Sequence, residues 1–197
     1  MIDTDLLLCW GAIHKNIARG QVIFHEEDDP LFYYQVESGK VKMVNGNDEG
    51  KEFIQGFFTA GESFGEPPLF DGGRYPAAAV ADEDSILLRL NKDAFIQLLK
   101  EHADIHFRFT KLLATRLRFK SIVSKEISCY GPEHRILTLI QHYKRRDPLA
   151  EKGLYKVNLT RQEIADMTGL RVETVIRALR HLHDKGNVHI ERGKVYC

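Results

Sequence analysis

Between Gly20 and Asn91 the apolar residues recur in short runs with a period close to two: Gln21–His25, Phe32–Glu37, Lys40–Val44, Phe53–Phe58, Ala77–Ala81 and Ser85–Leu90. Alternation places Val22 with Phe24, and Val41 with Met43, on common faces. Glycines punctuate these runs at Gly20, Gly39, Gly46, Gly50, Gly56, Gly61, Gly65, Gly72 and Gly73. Many short strands at this spacing predict an antiparallel sandwich or barrel. Beyond Asn91 the period changes to about 3.6. Asn91 can cap a short helix that carries Phe95, Leu98 and Leu99 on one face. A longer helix is expected over residues 103–128, with Ile105, Phe109, Leu112, Phe119, Val123 and Ile127 along it and Leu113 and Leu117 on a neighbouring stripe. Two readings of those stripes stay open. One stripe packs on the barrel while the other meets a second subunit, or, because Arg116 interrupts the longer stripe, both serve a core face within one chain.

Gly131-Pro132 ends that helix, since proline suits the first turn of a new one. The boundary expected there gives an α+β chain in three parts: a β-barrel over 1–102, a long helix over 103–130 and a C-terminal domain over 131–197. In the last part Arg135–Tyr143 is helical and Arg146-Asp147-Pro148 is a loop. Thr160 and Glu163 then stand at the spacing of a capping box, which starts a helix by satisfying its orphan N–H groups. Ile164 and Ala165 are apolar within it, Ala165 being small where another helix must come close. Gly169 supplies the backbone freedom of a sharp turn. Val175, Leu179 and Leu182 mark the core face of a second helix, which leaves Arg171, Val172, Glu173, Ile176, Arg177 and Arg180 pointing outward. Arginine can grip guanine with two hydrogen bonds, and a carboxylate can accept from cytosine N4. After Gly186, Val188-His189-Ile190, a Glu191-Arg192-Gly193 turn and Val195-Tyr196 form a small hairpin. The expected domain is a winged helix-turn-helix that reads double-stranded DNA.

Charge supports this division of labour. The 197-residue chain has 28 Lys and Arg against 28 Asp and Glu, yet from Gly131 onward there are 13 against 8, and before it 15 against 20. A basic C-terminal part beside an acidic remainder places the polyanion at the former. No apolar run is long enough to span a membrane, and there is no signal peptide. Three scattered cysteines, Cys9, Cys129 and Cys197, fit reduced thiols in a cytoplasm.

Other chemistries find little support. There is no zincin pair, P-loop, nucleophile elbow or zinc-ribbon spacing, so catalysis is not expected. His102 and His106 lie four apart on a helix, a metal-ligand spacing, but no third ligand accompanies them and they read as exposed histidines. His181 and His183 read as surface residues of a helix end. No cofactor is evident. Haem needs few sequence-visible residues beyond an axial ligand, so the sequence leaves it open.

The order barrel, long helix, winged helix-turn-helix resembles the CRP/FNR family of bacterial transcription regulators. Its markers are Gly20-Gln21-Val22-Ile23-Phe24, Tyr34-x-Val36-x-Ser38-Gly39-x-Val41, Phe64-Gly65-Glu66 and the block Thr160–Arg177. The resemblance implies a homodimer joined along the long helix, with Phe109, Leu112, Phe119 and Val123 at the seam and each recognition helix in the major groove of one half-site. Glu173 and Arg177 match the positions with which the family reads a G·C-containing core, with Val172 before the glutamate as in the FNR branch. Where that branch has a serine this chain has Ile176, which can touch a thymine methyl. The expected target is a palindrome of TTGA-like half-sites about one helical turn apart. Arg171, Arg180, Thr160 and Arg161 are assigned to phosphates.

The resemblance also implies an effector pocket in the barrel. In nucleotide-binding members the segment after Phe-Gly-Glu cradles a cyclic phosphate, and an arginine followed by a small hydroxyl residue pairs with it. Gly65 and Glu66 match; the arginine position is Pro76 and the hydroxyl position Ala77. Proline brings neither charge nor donor, and charge-assisted pairing is much of what makes a phosphate site tight. Arg74 serves only if the loop is rebuilt. Lys120 and Ser121 stand where the family's purine contacts fall. Cyclic AMP is therefore not the expected effector, and a different small molecule or none takes its place. The alternatives are a cyclic-nucleotide-responsive regulator using Arg74, or a ligand-binding module without DNA function, as in some kinases and channels. Lys144-Arg145-Arg146-Asp147-Pro148 lies where activating members touch RNA polymerase, and otherwise is an ordinary charged surface loop.

Overall fold

The computed structural model describes residues 2–46, 52–147 and 154–197; Gly50 and Pro148, singled out above, lie outside them. Helix α1 (Thr4–Cys9) precedes strands β1 (Ile13–Ile17), β2 (Val22–Phe24), β3 (Phe32–Ser38), β4 (Lys40–Gly46), β5 (Glu52–Thr59) and β6 (Ser63–Phe64). Helix α2 (Pro67–Asp71), strands β7 (Ala78–Ala81) and β8 (Ser85–Asn91) and helices α3 (Lys92–Glu101) and α4 (Ala103–Cys129) follow. The C-terminal part holds α5 (Pro132–Arg146), α6 (Arg161–Thr168), α7 (Val172–Asp184), β9 (His189–Glu191) and β10 (Lys194–Tyr196). The chain forms two units that divide between Thr115 and Arg116, within α4.

In the first unit two antiparallel four-stranded sheets have the orders β1-β8-β3-β6 and β2-β7-β4-β5. One core lies between them, built from Tyr34, Val36, Phe64 and Leu87 of the first sheet and Phe24, Val41, Met43, Ala79 and Ala81 of the second. The other face of the first sheet carries Tyr33, Leu88 and Leu90 against Leu7, Phe95, Leu98, Ile105 and Phe109 of the helices. Sandwiched on both faces, β3 is buried continuously from Tyr33 to Val36, as a doubly covered strand must be. The polar member of that run is satisfied: Gln35 accepts from the Tyr33 hydroxyl at 2.9 Å and donates to the Ile2 carbonyl at 2.9 Å.

The expected alternation fails in β2. Phe24 is buried but Val22 is exposed, because the β2–β7 register shifts between them; a bulge turns one residue to the other face. Asn91 caps α3 through its side chain, accepting from the Asp93 N–H at 2.8 Å. His102 and His106 do not share one helix. His102 is the C-cap of α3, half-buried, with its ring edge-on to Trp10 at 6.1 Å. Among the described residues no cluster of three or more His, Cys, Asp or Glu could hold a metal, and no helix is long and apolar enough to cross a membrane.

In the second unit Ile136, Leu139 and Ile140 of α5 meet Ile164, Ala165 and Met167 of α6 and Val175, Ala178, Leu179 and Leu182 of α7 as buried side chains of a three-helix core. Helix α5 runs through Lys144, Arg145 and Arg146, which form its last turn rather than a loop, and the Asp147 N–H closes it on the Lys144 carbonyl. The β9–β10 hairpin turns through Arg192 at φ 46° and Gly193 at φ 76°, the paired left-handed conformation that matches strand twist. Tyr155 and Cys197 exchange two backbone hydrogen bonds and the Val157 N–H donates to the Val195 carbonyl, which widens the wing.

Candidate nucleic-acid interface and barrel interior

Both halves of the capping box form at the start of α6. The Thr160 hydroxyl accepts from the Glu163 N–H at 3.1 Å, and the Glu163 carboxylate accepts from the Thr160 N–H at 2.6 Å. The helix stops at Gly169, whose left-handed φ of 68° lets the chain turn into α7. Helix α7 has no side-chain cap at Arg171, so its first turn presents backbone N–H groups and the positive end of its dipole outward. Its buried side is Val175, Ala178, Leu179 and Leu182. Glu173, Ile176, Arg177 and Arg180 are exposed, as is Arg171, while Val172 is half-buried. Spacings of three and four residues put Glu173, Ile176, Arg177 and Arg180 on one face. Ile176 is 40% exposed, a large aliphatic side chain left in water between two charged neighbours. Thr160 is exposed and Arg161 half-buried at the start of α6.

The barrel residues are placed differently. Gly65 has φ 72°, and a Cβ there would come within 2.8 Å of Phe24 Cζ and 3.1 Å of Tyr75 Cε1. Glu66 is buried, its carboxylate accepting from the Ser63 hydroxyl, and leads into α2 with its two prolines. Arg74 turns outward: it donates to the Glu27 carbonyl at 3.1 Å and lies 3.7 Å from the Asp29 carboxylate. Pro76 is exposed with its carbonyl accepting from Asn45 at 2.7 Å, and Ala77 is fully buried. Lys120 and Ser121 are exposed on α4 in the second unit, Ser121 donating to the Leu117 carbonyl at 3.1 Å.

Tyr75 and Arg89 complete this interior beside Phe24, and the residue pattern singles out neither of the two. The Tyr75 ring stacks on Phe24 at 3.6 Å and 9°, while Tyr34 and Phe64 stack at 5.6 Å beside them. Burial pushes the Tyr75 phenol well above its usual range, with Tyr34, Asp28 and Glu66 adding to the shift, so it stays a neutral donor, 3.4 Å from the Phe32 carbonyl. Burial likewise raises Tyr34, against the pull of Arg89. The Arg89 guanidinium lies 4.4 Å above the Phe32 ring, and its buried Nε has no hydrogen-bond partner among the described residues. An aromatic residue directly before Pro76 was the available signal.

Of the seam residues, Phe109 is buried, 5.5 Å from Phe95 and 6.1 Å from Tyr33, inside the first unit's core. Phe119 is covered by His142 of α5 at 3.4 Å. Leu112 and Val123 are half-buried. The apolar side chains that α4 leaves in water are Phe107, Leu117, Ile122 and Ile127. Phe109 and Phe119 of the longer stripe are thus covered by side chains of the same chain.

Residues 14–102 match the family model described as a cyclic nucleotide-binding domain, and residues 134–196 match that of a Crp-like helix-turn-helix domain. The cAMP-activated global transcriptional regulator CRP of Haemophilus influenzae is 31% identical over 94% of this chain and 83% of its own length. The cyclic AMP receptor protein of Thermus thermophilus is 30% identical over 98% of this chain and 87% of its own. In fold, the structure of FixK2 from Bradyrhizobium japonicum superimposes with a TM-score of 0.77 at 23% identity, covering 94% of this chain and 91% of the other.

Proposed function

Since this chain belongs to the CRP/FNR family of DNA-binding transcription regulators, we propose that it acts as a homodimer on a palindrome of TTGA-like half-sites, with a small molecule other than cyclic AMP, or none, as its effector. The observation that carries the reading is the face of α7, where exposed Glu173 and Arg177 stand one turn apart beyond a capped helix and a left-handed glycine. Arg177 takes guanine, Glu173 takes cytosine N4, and Val172 and Ile176 meet thymine methyls. Arg171, Arg180, Thr160, Arg161 and the open first turn of α7 hold phosphates. Residues 103–130 serve as the dimer helix, with Leu117 and Ile127 at the seam beside Leu112 and Val123, because those two are apolar and in water in the single chain. The basic last turn of α5, Lys144 to Arg146, is the surface offered to RNA polymerase.

For the barrel, two features argue against a cyclic phosphate. The rings of Phe24 and Tyr75 stand against Gly65, where a phosphate would need backbone access. The cationic residue nearest in sequence, Arg74, is engaged with Glu27 and Asp29 on the outside.

The test is titration of the protein into a fluorescent TTGA-N6-TCAA duplex at fixed moderate salt, with and without cyclic AMP, against a scrambled duplex. Preference for the palindrome that ignores the nucleotide is the expected result. Preference that appears only with the nucleotide overturns the effector reading, and no preference in either condition overturns the half-site assignment.

A further inference from the structure

The first turn of α5 ties two other helices together through three consecutive side chains. Glu133 reaches the end of α7: its carboxylate accepts from Lys185 Nζ at 2.7 Å and lies 3.2 Å from His181 Nδ1. Those hydrogen bonds, Lys185 first and His181 second, hold the Glu133 carboxyl below its usual range. His134 reaches the other way, to α4, where its Nδ1 pairs with the carboxylate of Glu126. Arg135 covers the open carbonyls at the end of α4, donating from Nε to Tyr130 at 2.9 Å and from Nη2 to Ile127 at 2.7 Å. Further along, the Phe119–His142 stack holds α5 to α4 a second time.

The three ties differ in their dependence on protons. Arginine and lysine stay charged, so the Arg135 bonds and the Lys185–Glu133 pair persist across physiological pH. His134 does not have that constancy. Its partner Glu126 is only 7% exposed, and a carboxylate so far removed from water is costly unless paired. An imidazolium supplies a charge-assisted bond, while the neutral ring supplies a weaker one or, in its other tautomer, none. The charged and titratable groups that face His134 are Glu126, Tyr130, whose ring stacks on it at 4.1 Å, and Lys125, whose ammonium sits 5.6 Å over Tyr130; Arg135 adjoins. Those facing His181 are Glu133 and Lys185.

We infer that Glu126, His134 and Glu133 are positioning residues for DNA reading: through α5 they fix the recognition helix α7 against the C-terminal half of α4, and the His134–Glu126 pair makes that fixing tighten in acid. The inference rests on the proposed dimer with two half-sites, since a helix seam that sets the distance between two reading heads is only as exact as the joint between seam and head. Glu133 engages the end of α7 opposite to Glu173 and Arg177, so its effect on readout passes through helix orientation. Loosening the joint leaves each reading face intact and blurs the separation of the two.

The experiment measures affinity of the full chain for TTGA duplexes with spacers of N5, N6 and N7 at about pH 6 and about pH 8, at one salt concentration, for wild type, Glu126→Gln, His134→Gln and His134→Lys. In wild type the preference for N6 falls about fivefold between the acid and the alkaline condition. Glu126→Gln and His134→Gln show the low preference at both pH values, and His134→Lys, a permanent cation, shows the high preference at both. A residue with only a structural role would weaken all three duplexes alike and leave the preference intact. An unchanged pH slope in His134→Gln overturns the inference.

Amide hydrogen exchange over residues 126–135, corrected for intrinsic rates, gives the same answer without DNA. Protection that falls from acid to alkaline pH in wild type and is absent at both in Glu126→Gln supports the tie, even if no palindrome is preferred and the half-site reading itself has failed. Protection indifferent to pH and to Glu126 overturns the tie whatever the DNA results.

Discussion

Tyr75 lies flat on Phe24, ring centroids 3.6 Å apart and planes within 9°, and both rings stand within 3.1 Å of where a Cβ on Gly65 would lie. Two stacked aromatic side chains thus flank Gly65, in the segment to which the family resemblance assigns a ligand. Gly65 cannot accept a Cβ there for two separate reasons, its φ of 72° and the 2.8 Å approach to Phe24. Gly65→Ala is therefore expected to lower stability by about 2 kcal/mol or more. Tyr75→Ala leaves a cavity and costs about 3 kcal/mol. Urea unfolding of both variants against wild type measures this; a neutral Gly65→Ala would mean that the rings do not hold that position.

The capping box offers a smaller and cleaner test. Thr160→Ala removes the acceptor for the Glu163 N–H and should cost about 1 kcal/mol. Thr160→Ser should cost a few tenths only, because the hydroxyl is kept. Since Thr160 is also assigned to a phosphate, Thr160→Ala should weaken DNA binding beyond what the unfolded fraction accounts for, and thermal melts alongside the duplex titration separate the two effects.

What the residues disclosed beforehand depended on how far each feature lies from its cause. The capping box, Gly169 and the faces of α7 are set by neighbours within a few positions, and they stand where periodicity put them. Asn91 at the start of α3 is of the same kind. Burial that depends on distant partners was less visible. Phe109 has the same hydrophobic pattern whether it meets a second subunit or Tyr33 and Phe95, and only the fold decides for the latter. Val22 was misplaced because a bulge is a tertiary event that alternation does not register. Tyr75 and Arg89 escaped notice because their significance lies in what they face across the barrel. His134 and Glu126 sit on either side of a helix break and meet only because the chain folds back at Gly131.

Base readout and phosphate binding are separable on α7. Arg177→Ala should cost about 1–3 kcal/mol on the palindromic duplex and relax preference at one position of the half-site, with little change in binding to a scrambled duplex. Arg180→Ala should weaken both duplexes alike and reduce the slope of log affinity against log salt by about one for each phosphate no longer neutralised. Competition titrations over a salt series distinguish them. Tight binding with unaltered base preference in Arg177→Ala would remove it from the reading face.

His142 gives the second unit a pH window of its own. Its ring is stacked on Phe119 at 3.4 Å, and burial, with Arg146 and Arg145 adding to it, pulls the imidazole down to about 4. In the unfolded chain the same ring titrates near about 6.5. Between these values the unfolded state binds a proton that the folded state refuses, so stability falls as pH drops through that window and is fully present above it. The contribution of His142 is isolated by His142→Phe, which keeps an aromatic ring on Phe119 and removes the proton. Chemical unfolding at a series of pH values should show the difference between wild type and His142→Phe growing steadily as pH falls from about 6.5 towards about 4. A difference that stays constant across that range would mean that the ring is charged, or exposed, in the folded protein.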